Sequence, residues 1–552
     1  MKDHYPIILK QQDQCVPAIL SNQVRDVMSI DFGGFEDQPD KLVIPARAAE
    51  NLSILVPVYC NADSSWFKNS DVYTSILHAL QYLERIQRPD GTFDLTVTNF
   101  YSSPDTGFIV QYLAGAYRVS QRYPVGNETD SIHSKLYQLI YKSAEGMVNG
   151  GFHTPNHRWV IASSLMMAYN ITGETSFCEA ANLYLREGID CDENGEFTER
   201  SSGIYNATND NALIMLSQET GREQLLEDVR RNLDMMFTYI EPDGTIFTGN
   251  STRQDNAGAA GSELFYPTAY YPLYLYMAWK MKDGRYACMA DTILEEGYRR
   301  NNLPPLVSFF MLHPEIKNFQ METLPLTADF EKFYPKSGIV RVRRENTSYT
   351  LLKNNSRFLF FQAGSLRCYM KLCASFFAVA QFKAQELQKT ENGYRLSFTS
   401  QGCYRMPLDQ PPMSPDWSLM DHSSRRKVNM VELKLNVDVL ETAGSLSVHI
   451  ASQGCDRVPA KVELCFSADS AAEGENFIIH GDAGGSITVK SGFITVKKGM
   501  DQIRVGPGFA KHAYTSRMRG SEPRSAAEFT VYFTDYTPVD RNITISRPTL
   551  DA

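Results

Sequence analysis

Asp90-Gly91-Thr92-Phe93, Asn149-Gly150-Gly151-Phe152, Asn194-Gly195-Glu196-Phe197 and Asp243-Gly244-Thr245-Ile246-Phe247 read as four versions of one turn. Their first glycines fall at 91, 150, 195 and 244, at intervals of 59, 45 and 49 residues. An interval of that size holds two helices and their connections, the unit of a helical repeat array. Asp-Gly and Asn-Gly form such turns readily because glycine accepts positive φ at little cost. A polar stretch and then an apolar helix follow each turn. Closing the repeats into a ring of helical hairpins would place those polar stretches around one mouth.

Working outward from the turns, 71–302 reads as helix after helix. Asp71 is the expected N-cap of a helix whose apolar positions Val72, Ile76, Leu80 and Leu83 recur at helical spacing. Further amphipathic stretches begin near Asp105, Ser134, Asn156, Ser176, Asn209, Glu223 and Glu263. Beyond Tyr334 the period changes. Gly338-Ile339-Val340-Arg341-Val342-Arg343, Arg357-Phe358-Leu359-Phe360-Phe361, Val431-Glu432-Leu433-Lys434-Leu435-Asn436-Val437 and Glu528-Phe529-Thr530-Val531-Tyr532-Phe533 alternate or run apolar in β-formers. They predict a C-terminal antiparallel β-sandwich over 335–552. The Pro304-Pro305 region, 303–334, reads as a connector, and 1–70 is expected to pack on the helical array, an (α/α)-toroid over 71–302.

A chain of 552 residues exceeds one ordinary core, so several domains are expected. Its 43% hydrophobic and 21% charged residues are those of a globular protein. A net charge of -10 argues against a nucleic-acid-wrapping surface. No window of about 18 apolar residues predicts a membrane span. The start, Met1-Lys2-Asp3-His4-Tyr5-Pro6, lacks the basic and apolar regions of a signal peptide, so a cytosolic location is expected. The ten cysteines are scattered, and the pair Cys368 and Cys373 lacks partners at zinc spacing. Reduced structural thiols and no metal are therefore expected. On the same view the sequon Asn206-Ala207-Thr208 is a chance match.

Chemistry concentrates in three polar stretches. His153-Thr154-Pro155-Asn156-His157-Arg158-Trp159 opens a helix. Thr154 or Asn156 can cap that helix, which leaves two histidines and an arginine unexplained in its first turn. Glu196-Phe197-Thr198-Glu199-Arg200-Ser201-Ser202-Gly203-Ile204-Tyr205-Asn206 sets a tyrosine at the head of another helix, behind an acid and an arginine. A tyrosine packed in the toroid wall is the plain alternative. Asn250-Ser251-Thr252-Arg253-Gln254-Asp255 offers an arginine suited to gripping a carboxylate, with Gln254 and Asp255 for sugar hydroxyls. An exposed polar loop is the alternative there. Asn99 occupies the matching place in an earlier repeat, and Tyr271 is either a sugar platform or core.

At these residues the chain resembles the heparinase II/III-type polysaccharide lyases, including their oligoalginate-lyase relatives. In that family an Asn-His pair opening a toroid helix precedes, by about fifty residues, a tyrosine in a Glu-x-Ser-x-x-x-Tyr-like context. Here Asn156-His157 precedes Glu199-Arg200-Ser201-Ser202-Gly203-Ile204-Tyr205, with 48 residues from His157 to Tyr205. The resemblance implies an incomplete (α/α)-toroid followed by an antiparallel β-sandwich. It also implies catalysis by Asn156, His157 and Tyr205 without a cofactor. Family members carry a further histidine in the early sandwich strands. Phe360-Phe361-Gln362-Ala363-Gly364-Ser365-Leu366-Arg367 has none, and His422, in Asp421-His422-Ser423-Ser424-Arg425-Arg426, is the candidate to replace it.

The expected reaction is β-elimination in a uronic-acid-containing oligosaccharide or polysaccharide, yielding a 4,5-unsaturated uronate. Asn156, aided by Arg253, would neutralise the carboxylate, His157 would take the C5 proton, and Tyr205 would protonate the O4 leaving group. His153, Arg158, Trp159, Glu199 and Arg200 would line the sugar site. A uronide hydrolase using two of Asp90, Asp94, Glu199, Asp210 and Asp255 is one alternative. A non-catalytic glycan-binding protein is another. Neither a nucleic-acid nor a membrane partner is expected, and a homodimer is the default assembly.

Overall fold

The computed structural model describes residues 3–256 and 264–548. The chain divides into two compact units. Residues up to Phe237, with Ser251–Asp255 and Phe265–Leu326, form a helical unit; Thr238–Asn250 and the chain from Thr327 onward belong to a sheet unit.

The helical unit comprises α1 (His4–Asn22), α2 (Pro45–Cys60), α3 (Ser70–Ile86), α4 (Ser103–Arg122), α5 (Asn127–Asn149), α6 (Pro155–Thr172), α7 (Thr175–Arg186), α8 (Tyr205–Thr220), α9 (Leu225–Met236), α10 (Tyr271–Met281) and α11 (Gly284–Arg299). Two short helices follow, α12 (Val307–Leu312) and α13 (Pro314–Lys317). Helices α2, α4, α6, α8 and α10 pack on one another in that order, and each carries its successor (α3, α5, α7, α9 or α11) as a hairpin partner. Sequence explains the two layers. In α6, Trp159, Val160, Ile161, Ala162 and Leu165 are all buried, as in a helix apolar on every side. In α9, Leu226, Val229 and Leu233 bury one stripe while Glu227 and Arg230 face water. The result is an incomplete (α/α)-toroid.

Segment 1–70 does more than pack on this ring, because α2 is one of its inner helices. Helix α1 lies on α2 and α12, and its His4 reaches Tyr271 Oη of α10 and Asp291 of α11, each at 2.7 Å. The N-cap of α3 is Asn69 rather than Asp71, since Asn69 Oδ1 accepts from the amides of Asp71 and Val72. Helix α5 begins at Asn127, well before Ser134, directly after Gly126 with φ +124°. Helix α8 begins at Tyr205 rather than Asn209. The stretch expected to start at Glu263 begins outside the described residues.

Two of the repeat turns match. Gly91 and Gly195 have φ of +92° and +89°, and a Cβ on either would meet Lys142 O of α5 or Arg231 O of α9 at 1.9 or 2.1 Å. Each turn is thus docked on the next outer helix, which only glycine permits. Gly150 differs: at φ -94° it is the C-cap of α5. The Asp243 turn belongs to the sheet unit, where Arg367 contacts Asp243 and its Nη2 donates to Thr245 Oγ1 at 3.0 Å.

Among the described residues the sheet unit holds two large sheets. The larger has nine strands, ordered Glu386–Thr390, Gly393–Arg405, Lys427–Thr442, Ser445–Gly454, Asp540–Ser546, Asp501–Gly506, Ile494–Lys498, Ser470–Gly474 and Phe477–Gly481. The smaller has eight, ordered Ser486–Thr488, Glu528–Tyr536, Pro459–Ser467, Leu366–Ala374, Leu359–Ala363, Thr347–Leu352, Ile339–Arg344 and Asp329–Tyr334. All pairs are antiparallel except Ser486–Thr488 with Glu528–Tyr536, which is parallel. Alternate residues such as Leu433, Leu435, Val437 and Val439 turn into one core with Met370, Val462 and Leu464 of the other sheet. The first strand lies inside 303–334, as do α12 and α13, so the expected connector is itself structured. Arg341, fully buried, draws Thr238–Asn250 into this unit: its Nε donates to Thr238 O at 2.9 Å and its Nη1 meets Glu241 Oε1 at 2.9 Å. Among the described residues no helix is long and apolar enough to cross a membrane.

Candidate active site

The N-terminal turns of three successive inner helices, with the 251–255 loop, build one polar cluster in the helical unit. Pro155 starts α6 with its fixed φ, after Thr154 as N-cap. Neither Thr154 nor Asn156 caps the helix through its side chain. Asn156 Nδ2 instead donates to Glu199 Oε2 at 2.8 Å and to Thr154 Oγ1 at 3.2 Å. Its backbone amide donates to the same Glu199 oxygen at 3.2 Å. Asn156 Oδ1 and His157 Nδ1 are buried and hydrogen-bonded to nothing among the described residues.

Asp255 ties the other two segments together. It is fully buried and accepts from Ser201 Oγ at 2.9 Å, Ser251 Oγ at 2.5 Å and the Gly203 amide at 2.8 Å. Ser201 Oγ in turn accepts from the Tyr205 amide at 3.1 Å, which sets the start of α8. Thr252 Oγ1 donates to Glu199 O at 2.8 Å. Arg253 is thereby held over the Tyr205 ring, 5.1 Å from its centroid, with Nε 3.3 Å from Glu199 Oε1. One guanidinium links the tyrosine of α8 to the acid that grips the first turn of α6.

Electrostatics follow from burial and from that cation. Burial lowers the His157 pKa to about 4, with smaller contributions from His153 and Arg253, while Asp105 pulls it upward. The imidazole is therefore neutral at ordinary pH. Burial pushes the Glu199 carboxyl above its usual range, although the Asn156 amide and Arg253 partly offset that. His153 is exposed and sets its ring edge against His157, centroids 4.7 Å apart. Arg200 adopts φ +51° and lies 3.5 Å from Glu196. Gln254 is exposed.

Several expected ligand contacts are not available. Trp159 is fully buried, with Nε1 donating to Asp190 at 3.0 Å, and so belongs to the core. Arg158 stacks on it and pairs with Glu187 at 3.0 Å and Asp190 at 3.3 Å, committed to the end of α7. Tyr271 is buried against His4 and cannot form a sugar platform. Asp255 is a structural knot. Asn99 donates to Asp105 at 3.0 Å. His422 lies in the sheet unit, with Nε2 2.8 Å from Trp417 O and Nδ1 accepting from Arg425 Nε at 3.1 Å.

The sequence reading did not bring Asp105 to His157, whose imidazole its charge draws toward protonation. It is the third residue of α4, as His157 is of α6, so matching positions in the repeat was the available signal. Beside it the hairpin of Phe93–Leu95 and Asn99–Ser102 leaves Phe100 and Tyr101 more than half exposed.

No family model matches the chain, and no curated protein sequence matches it. Solved structures do. A Paenibacillus xanthan lyase superposes with TM-score 0.55 at 9% identity, over 99% of this chain and 57% of its own. The chondroitin AC lyase of Streptomyces coelicolor A3, solved with chondroitin sulphate, gives 0.56 at 11%, over 99% and 80%. A heparan sulfate lyase from Pedobacter heparinus gives 0.51 at 9%, over 100% and 85%. The chain thus spans little more than half of the xanthan lyase. Its fold, toroid followed by β-sandwich, is that of the heparinase-type polysaccharide lyases.

Proposed function

We propose that the protein is a polysaccharide lyase that cleaves a uronate-containing glycan by β-elimination. The observation that carries this reading is the convergence of an Asn-His pair and a tyrosine in the first turns of neighbouring inner helices, linked through Glu199 and Arg253. A uronate C5 proton is poorly acidic while the adjacent carboxylate is charged. Arg253 is the cation available to that carboxylate, a quarter exposed and held to Glu199 outside hydrogen-bond geometry. Asn156 joins it once its carboxamide is freed, and together they stabilise the enolate-like intermediate. His157, neutral and buried in the first turn of α6, takes the C5 proton; a bound carboxylate nearby raises its basicity. Tyr205 gives its phenolic proton to the departing O4. The helix N-termini around the site favour an anionic ligand.

The acids that a hydrolase would need are largely held by other residues or buried away from a sugar. Asp94 pairs with Arg88, Asp90 Oδ1 accepts from Thr92, Asp255 is the buried knot, and Asp210 is buried in α8. The test is to incubate the purified protein with a panel of uronate oligosaccharides and follow near-ultraviolet absorbance of unsaturated product. Tyr205→Phe and His157→Ala should each slow its formation by about 10²–10⁴-fold. Wild-type-like product from both variants overturns the reading. New reducing ends without a double bond indicate a hydrolase, and saturable binding that survives Tyr205→Phe without any turnover indicates a binding protein.

A further inference from the structure

The donors that a uronate carboxylate needs are already occupied by a carboxylate of the protein. Both hydrogens of Asn156 Nδ2 are taken, by Glu199 Oε2 at 2.8 Å and Thr154 Oγ1 at 3.2 Å. The other end of the same carboxamide, Oδ1, is buried without a hydrogen bond among the described residues. An ionised carboxylate only accepts hydrogen bonds, so Glu199 selects the amide orientation that hides Nδ2 and leaves Oδ1 over. Glu199 also holds Arg253, with Oε1 3.3 Å from Nε.

We propose, building on the lyase reading, that Glu199 is a positioning residue whose charge state sets which end of the Asn156 carboxamide meets the substrate. A substrate carboxylate competes with Glu199 for Arg253, and a second negative charge beside Glu199 favours its protonated form. Glu199 then takes a proton from solvent, and its carboxyl O–H donates to Asn156 Oδ1 after the carboxamide turns over about its Cβ–Cγ bond. Nδ2 swings to the position Oδ1 occupied and donates to the substrate. One hydrogen bond to Glu199 is exchanged for another, the Nδ2 bond to Thr154 Oγ1 is given up for the one to the substrate, the orphaned oxygen gains a donor, and the net change is one proton bound. The groups facing Glu199 fit this exchange. Arg253 comes from the 251–255 loop, Asn156 from α6, and Asp190, from the segment after α7, works against a second negative charge. Arg200, its chain neighbour, is turned to Glu196. Burial already disposes the carboxyl to protonation.

Glu199→Gln is the deciding variant, because a glutamine side chain donates to Asn156 Oδ1 without a titratable proton. In protein labelled with 15N at asparagine, the side-chain amide of Asn156 is assigned by its loss in Asn156→Ala. Between pH 4 and pH 9 that resonance should move with a single apparent pKa in the wild type and stay put in Glu199→Gln. A resonance that ignores pH in the wild type, or still titrates in Glu199→Gln, overturns the proposal whatever the activity. In turnover, 1/KM of the wild type should fall about tenfold per pH unit above that pKa, as linkage to one proton requires. Glu199→Gln should hold the low-pH value throughout. A purely structural Glu199 predicts instead that the variant weakens at every pH while keeping the wild-type slope. Absence of unsaturated product alongside a titrating resonance would remove the lyase reading and leave the carboxamide switch.

Discussion

Glu463 and Glu199 are both buried carboxylates, one in each unit, and they differ in how much positive charge surrounds them. Glu463 sits between two buried lysines, Oε1 2.8 Å from Lys461 Nζ and Oε2 2.9 Å from Lys371 Nζ. The spare hydrogens of Lys461 go to the carbonyls of Thr515 and Ser516 at 3.1 and 3.0 Å. Glu199 has one arginine, set outside hydrogen-bond geometry, and beside it Asn156 Oδ1 and His157 Nδ1 are left over. A native fold seldom leaves buried polar atoms unmatched, and those it does leave need a reason. In the sheet unit two cations offset one carboxylate across neighbouring strands, although Glu463 Oε2 also lies outside hydrogen-bond geometry. In the helical unit the remainder is what a ligand would complete.

That contrast is open to attack at both ends. The largest effect is expected from Tyr205→Phe, which removes the acid while keeping the ring under Arg253. Turnover should drop by about 10²–10⁴-fold, with the urea midpoint equivalent to within about 0.5 kcal/mol of wild type. An equal loss of stability would make Tyr205 part of the wall. Glu463→Ala is next and acts in reverse. It leaves two buried ammonium groups without their counter-charge, at a cost of about 3–5 kcal/mol. Glu199→Gln, by contrast, should cost no more than about 1 kcal/mol. Urea unfolding of the three proteins decides it, and matching losses for the two glutamate variants would erase the distinction.

The helical half was legible because its signals are local. The Asp90-Gly91 and Asn194-Gly195 turns and the apolar stripe from Val72 to Leu83 follow from short-range spacing, whereas the grouping of Asn156, His157 and Tyr205 is what the family resemblance implies. What escaped depends on contacts distant in sequence. Trp159 and Tyr271 look like platforms until Asp190 and His4 are found behind them. Asp255 reads as a sugar ligand, yet three donors from two loops converge on it. The turn at Asp243 has the sequence of a toroid repeat, but buried Arg341 claims its neighbours Thr238 and Glu241 for the sheet unit. Asp105 was hidden for a different reason. Its approach to His157 depends on matching positions between helices whose starts sequence places only to within a few residues.

Arg253→Lys probes the leftover side more gently. Lysine keeps the charge but loses the planar fork that spans a carboxylate and stacks on Tyr205. We expect kcat/KM to fall by about 10–100-fold, equivalent to one charge-assisted hydrogen bond of ~1.5–3 kcal/mol, mostly through KM. An unchanged KM with depressed kcat would move Arg253 from binding the carboxylate to tuning the tyrosine.

The smallest effect is the most specific, because it reads His157 directly. Burial lowers its pKa to about 4, so the neutral base persists far below the value of about 6.5 of a free histidine. The acid limb of kcat/KM should therefore have its midpoint near 4. His153, when protonated, repels a second proton on His157 across ring centroids 4.7 Å apart. His153→Gln removes that repulsion, so the midpoint should move upward, by less than about one unit for an exposed neighbour. Stability has the same sign. The unfolded chain binds the His157 proton below about 6.5 and the folded chain only below about 4, so this contribution to stability is lost as pH falls through that window. His157→Gln should flatten the corresponding part of the stability profile. An acid limb near 6.5 that His153→Gln leaves in place would mean that the imbalance at α6 is not felt by the base, and the contrast with Glu463 would then rest on Glu199 and Asn156 alone.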